Sequence, residues 1–79
     1  LPPLCRGALV SLVYNRGTRM TGDSRREMKA IRDHIAAGAL DSVAAEFESM
    51  KRLWPNSKGL RRRRDKEAAM WREGLAAVA

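Results

Sequence analysis

The chain has one cysteine, one histidine and no apolar stretch approaching the ~20 residues that a membrane-spanning helix requires. Each scarcity excludes something. A single thiol closes no loop, so Cys5 cannot staple the fold, and it reads as a small buried hydrophobe. His34 stands beside Ile31, Asp33 and Ile35, with no Cys, His or carboxylate spacing that would complete a metal site. It reads as a satisfied or exposed side chain, and Ser11 has no histidine at the spacing of a nucleophile pair. No metal and no cofactor is expected. No internal repeat is visible, and no segment reads as a strand. No charged segment with an apolar run behind it opens the chain, so no secretory signal is expected. The opening Leu1-Pro2-Pro3, without a Met, reads as the start of a fragment or processed product.

What the chain has in excess is positive charge. Sixteen Lys and Arg face nine Asp and Glu, a net charge of +7, with +4 in residues 1–40 and +3 in residues 41–79. Such a surface suits polyanions in general: nucleic acid, anionic lipid or acidic envelope polymers. At 79 residues the chain is one small domain, 1–79, of a size that buries only about 60% of its unfolded surface.

Punctuation and periodicity predict four helices. Pro2 and Pro3 suit a first turn and Gly17 a stop, so residues 3–16 form the first. Its apolar residues at 4, 8, 9, 12 and 13, with 10 and 14 beside them, cover most of the circumference, which predicts a buried helix that the others pack against. The second spans about 25–37: Ser24 and Glu27 have the spacing of a capping box, Met28, Ile31 and Ile35 share a face, and Gly38 stops it. Asp41 or Ser42 caps the third, over 42–53, where Val43, Phe47, Met50 and Trp54 recur at i, i+4, i+7 and i+11. Pro55-Asn56-Ser57 interrupts the chain, and a fourth helix spans about 59–73 with Gly74 at a fraying end. The expected architecture is all-α, a small four-helix domain around a buried first helix.

The fourth helix mixes charge into its apolar stripe. Leu60, Arg64, Glu67, Ala68, Trp71 and Leu75 fall within roughly a third of its circumference. Arg64 and Glu67 are then either a surface i,i+3 pair at the stripe's edge or a pair on a face that meets another part of a larger protein. The run Arg61-Arg62-Arg63-Arg64 points in four directions on a helix, and Trp54 and Trp71 lie on core stripes. No specific nucleic-acid partner is therefore expected.

Three segments together resemble the C-terminal lobe of the phage-type lysozymes, the endolysin muramidases of glycoside hydrolase family 24. They are Leu12-Val13-Tyr14-Asn15-Arg16-Gly17, the helix Ala44-Ala45-Glu46-Phe47, and Gly59-Leu60 followed by Arg63-Arg64, Glu67 and Met70-Trp71. Gly22-Asp23-Ser24-Arg25-Arg26-Glu27 is similar to a subgroup of these endolysins. The likeness runs from about Leu4 to Trp71. It implies that Tyr14 and Asn15 line a glycan cleft as substrate-binding residues. It further implies that Arg63, Arg64 and Glu67 lie at the interlobe side, with the helical wheel favouring Arg64 as the inward arginine. Arg16 stands where commoner versions carry an apolar residue.

The family hydrolyses the glycan with a Glu on an N-terminal helix, an Asp nine residues on and a Thr six beyond that. Thr18 would need its Glu at position 3, which is Pro3, and Thr21 would need one at position 6, which is Arg6. No catalytic residue is expected in this chain, and none of its nine carboxylates shows a reason for a raised pKa. The resemblance thus implies a lobe that faces peptidoglycan glycan strands and is inactive without an N-terminal catalytic lobe, on the same parent chain or a separate one. It also implies cytoplasmic synthesis with action at the bacterial cell wall. A homodimer through the face bearing Leu60, Trp71 and Leu75 is a further expectation. The other readings of the same residues are a non-enzymatic cationic module for envelope or membrane anions and, third, a nucleic-acid-binding helical protein.

Overall fold

The computed structural model describes residues 1–78. Four helices account for most of them: α1 (Pro3–Arg16), α2 (Arg26–Ala36), α3 (Val43–Ser49) and α4 (Lys58–Ala76). Short 3₁₀ turns at Asp23–Arg25, Leu40–Ser42 and Met50–Leu53 lead into α2, lead into α3 and continue it. There is no strand among the described residues, and no helix among them is long and apolar enough to cross a membrane. The all-α, four-helix expectation holds.

Helix ends follow local chemistry only in part. Gly17 and Gly38 both adopt positive φ, as their place after a helix predicts. After α2 the Gly38 amide donates to the Ile35 carbonyl (3.1 Å) and the Ala39 amide to that of His34 (2.8 Å), the paired bonds of a Schellman stop. Ser57 caps α4 through its hydroxyl, which accepts from the Leu60 amide. The capping box at Ser24 and Glu27 does not form. Ser24 lies inside a 3₁₀ turn with no side-chain cap, and Glu27 accepts instead from Arg52 Nε (2.8 Å), Arg52 Nη2 (3.0 Å) and Ser49 Oγ (3.0 Å). Charge-assisted bonds to a guanidinium outweigh a neutral amide bond within the turn. Neither Asp41 nor Ser42 supplies a side-chain cap to α3, because the 3₁₀ turn already enters the helix there.

The core is built by α4. Ala68 and Trp71 are buried against Cys5, Ala8 and Leu12 of α1 and against Val43, Phe47 and Met50 of α3 and its extension. Trp71 Nε1 donates to the Leu40 carbonyl at 2.8 Å, and its ring lies 6.3 Å from that of Phe47. Met28 and Ile31 are buried from α2, which packs against α3, and an apolar depression lined by Leu9, Val13, Met28 and Ile35 lies between α2 and α1.

Two expectations about packing are corrected. The first helix is buried along one stripe only: Cys5, Ala8 and Leu12 are inside, whereas Val10 is 68% exposed and Tyr14 87% exposed. α4 is the helix that packs closely on α1, and nothing among the described residues reaches the outer face of α1. And Gly74 does not fray. The helix runs through it to Ala76, and Gly74 is buried where α4 meets the start of α1.

Candidate functional site

α1 and α4 pack antiparallel, and the polar contacts between them show it. Cys5 Sγ, near the start of α1, donates to the carbonyl of Trp71 late in α4 (3.3 Å). One turn before the end of α1, Ser11 Oγ donates to Glu67 Oε2 at 2.6 Å. At its last turn, Asn15 Oδ1 accepts from Arg64 Nη1 at 3.1 Å. Ser11 and Asn15 are four apart and share a face, as do Arg64 and Glu67, three apart on α4. The two helices thus bring one hydroxyl, one amide, one guanidinium and one carboxylate into a single cluster.

Arg64 and Glu67 form the centre of this cluster and are both buried, at 0% and 1% exposure. Arg64 Nη2 donates to Glu67 Oε2 at 2.9 Å, and Nε lies 2.7 Å from Oε1 as a charge contact without hydrogen-bond geometry. Loss of water pushes Glu67 above the usual carboxylate range, against the Ser11 hydrogen bond and the Arg64 charge that pull it down. The same loss of water pushes the Arg64 guanidinium below its ordinary value, opposed by Glu67. Trp54 flanks the pair, its ring centroid 5.5 Å from the Arg64 guanidinium carbon and 5.0 Å from that of Arg16.

Arg16 and Arg25 fasten the loop after α1. Arg16 Nη2 donates to the Ser24 carbonyl (2.8 Å), and Arg25 Nη1 returns a bond to the Arg16 carbonyl. Burial, then the neighbouring charges of Arg25 and Arg64, hold Arg16 below its ordinary value. Below this loop Arg52 joins Glu27 to Asp23, donating to the Asp23 carboxylate (3.0 Å) and carbonyl (2.6 Å). The base of the α1 tip is therefore tied to α2, α3 and α4.

The structure separates the residues that the sequence put forward. Asn15, Arg64 and Glu67 come together, with Arg64 inward as the wheel predicts. Tyr14 points outward beside Leu9, Val10 and Val13, edging a shallow apolar depression, and its side chain makes no hydrogen bond among the described residues. Arg63 is exposed and forms no ion pair among the described residues, although its charge acts on both Arg64 and Glu67. The reading of Arg64 and Glu67 as a surface pair fails: the pair is fully buried, with Ser11 and Asn15 of α1 and Met50 and Trp54 against it. On the face named for a homodimer, Trp71 is at 0% exposure and committed to the core, while Leu60 and Leu75 are half-buried. The expectation that no carboxylate has a raised pKa also fails at Glu67, because burial removes its water. Even so, Glu67 is closed to solvent, its Oε2 accepting from Ser11 and Arg64 and its Oε1 held in an ion contact with Arg64 Nε. Ser11, Arg16 and Trp54 are the members that sequence reasoning did not assign here. The signal available was the four-residue step from Ser11 to Asn15 on the face opposite Arg64 and Glu67.

Among the described residues no three His, Cys, Asp or Glu side chains gather as a metal site. Compared with protein-family models, curated proteins and solved structures, the chain matches none.

Proposed function

We propose that this chain is a substrate-facing helical lobe that furnishes one wall of a binding cleft and does no chemistry of its own. More specifically, it serves as the C-terminal lobe of a phage-lysozyme-like muramidase, facing peptidoglycan glycan strands at the bacterial cell wall. Activity then depends on a separate lobe carrying the proton donor.

The observation that supports this most is the Asn15–Arg64 bond, which joins two of the segments that carry the family likeness, at 3.1 Å. A buried ion pair holding an amide at the rim has a physical use. It costs water to bury, and it fixes the amide's oxygen toward Arg64, which leaves the amide N–H groups free to donate to a sugar oxygen. Tyr14, one residue earlier and on the outer side, offers a ring for stacking against a sugar face. The exposed apolar residues Val10 and Val13 beside it are where a second lobe would cover α1.

The proposal is tested by turbidity of a purified peptidoglycan suspension. The chain alone leaves the suspension turbid while sedimenting with it. Clearing by the chain alone would place a working acid among its nine carboxylates and overturn the division of labour.

A further inference from the structure

The four consecutive arginines, with the lysines around them, are not accounted for by the cleft wall, and the structure divides them. Arg64 is interior, and Arg61 donates to the Lys51 carbonyl at 3.0 Å. Arg62 and Arg63 are left, both exposed, together with exposed Lys58 and Lys66. None of these four forms an ion pair among the described residues, whereas every acid of the chain except Asp41 and Glu73 is engaged by a cation or by His34. Counting about 100° per residue from Arg64, positions 59, 62, 63 and 66 fall within roughly a third of a turn on the side of α4 that faces away from Trp71. Gly59, Arg62, Arg63 and Lys66 line one open, shallow depression there. Asp65 is drawn toward α3 by Lys51 (2.7 Å), and the only acid on the outward side is Glu73, two turns beyond Lys66.

We infer that this outward face of α4 is a docking surface for an anionic phospholipid membrane. The charge of the chain is spread in sequence, but here three uncompensated cations stand side by side within about 6 Å of helix length. They lie on the outer side of α4 around an open depression, with no second wall among the described residues to enclose a strand. No aromatic residue occupies 58, 59, 62, 63 or 66, so the face has nothing on which a base could stack. A sheet of phosphate headgroups, read by charge alone, matches it in sign and shape. The interaction is peripheral, because Met70, the apolar residue on this side, is half-buried and no large hydrophobic between 58 and 73 is exposed to insert.

The experiment is sedimentation of the 79-residue chain with vesicles containing about 30% phosphatidylglycerol in phosphatidylcholine, at about 0.1 M salt. Two triple variants of equal net charge are compared, R62Q/R63Q/K66Q and R6Q/R19Q/K29Q, the second set being exposed, unpaired cations on α1, the following loop and α2. Far-UV circular dichroism checks that each is folded. The first triple weakens binding on the order of 100-fold and the second by no more than about threefold, given the usual free energy per cation near an anionic surface. Tyr14→Ala leaves vesicle binding unchanged, so this result is independent of the cleft reading. Equal weakening by the two triples would mean that net charge and not this face is read. Failure of the unmodified chain to bind would overturn the inference. So would tighter binding to duplex DNA with the same dependence on Arg62, Arg63 and Lys66.

Discussion

Arg64 Nη1 donates to Asn15 Oδ1 across 49 positions of sequence, and the same guanidinium pairs with Glu67 at 2.7 Å inside the domain. This single arginine therefore connects the exposed tip of α1 to the buried centre of α4.

Removing the guanidinium alone strands a buried carboxylate. Arg64→Met is expected to cost about 3–5 kcal/mol, while R64M/E67L is milder than the single variant because no unpaired charge is left inside. A 79-residue domain holds about 4–12 kcal/mol in total, so the single variant is partly unfolded in buffer. Urea titration followed by tryptophan fluorescence, with far-UV circular dichroism, reads both. A double variant as unstable as the two single losses combined would mean that the pair is not coupled as its geometry requires.

Two glycines of α4 predict opposite signs for the same substitution. A methyl group on Gly74 would sit 2.8 Å from Cys5 Sγ and 3.0 Å from the Cys5 amide nitrogen, and the latter is backbone that cannot turn aside. Gly74→Ala is expected to destabilise by about 1–3 kcal/mol despite the better helix propensity of alanine. Gly59 has nothing within 4 Å of the added carbon, so Gly59→Ala is expected to stabilise by a few tenths up to about 1 kcal/mol. Thermal melts of the two variants decide.

The one-sided burial of α1 gives a second contrast. Leu12, 2% exposed, is expected to cost about 2–5 kcal/mol as Leu12→Ala, whereas Val10→Ser stays within about 0.5 kcal/mol because Val10 is 68% exposed. A large loss at Val10 would mean that something covers the outer face of α1 in solution.

Acid should weaken the Glu27 clasp. Burial pulls this carboxyl upward, but the bonds from Arg52 and Ser49 outweigh it and hold it below the usual value of 4.5. The folded state therefore binds its proton less readily than the unfolded chain. The stabilisation is complete above the unfolded value, near pH 4.5, and is lost as the pH falls through the lower folded value. Glu27→Gln is expected to lower stability by about 1–3 kcal/mol at pH 7 and to flatten the fall in stability below about pH 4.5. Urea midpoints at several pH values check the slope; an unchanged acid limb in the variant would contradict it.

Much of the fold is legible in the sequence because helix punctuation is local. Pro3, Gly17 and Gly38 set ends by their own backbone preferences, and the Val43–Phe47–Met50 stripe follows from helical period. What failed depends on distant partners. Glu27 fits a capping box by spacing, yet Arg52, 25 positions on, takes its carboxylate. The apolar circumference of α1 says nothing about how many neighbours exist to cover it, and Gly74 resembles a helix end until Cys5 is placed against it. For the site, the wheel puts Arg64 and Glu67 inward, but only the packing of α1 reveals Ser11 and Asn15 as their partners.

The most direct test of the cleft-wall account is co-sedimentation with insoluble peptidoglycan at about 0.3 M salt, where surface charge is largely screened, comparing the unmodified chain with Tyr14→Ala. Tyr14 is 87% exposed and unpartnered, so the variant keeps its stability and isolates recognition. The account predicts retained binding for the unmodified chain and a loss of about tenfold for Tyr14→Ala, the scale of one exposed aromatic contact. Binding abolished by the salt, or unaffected by the substitution, would contradict it.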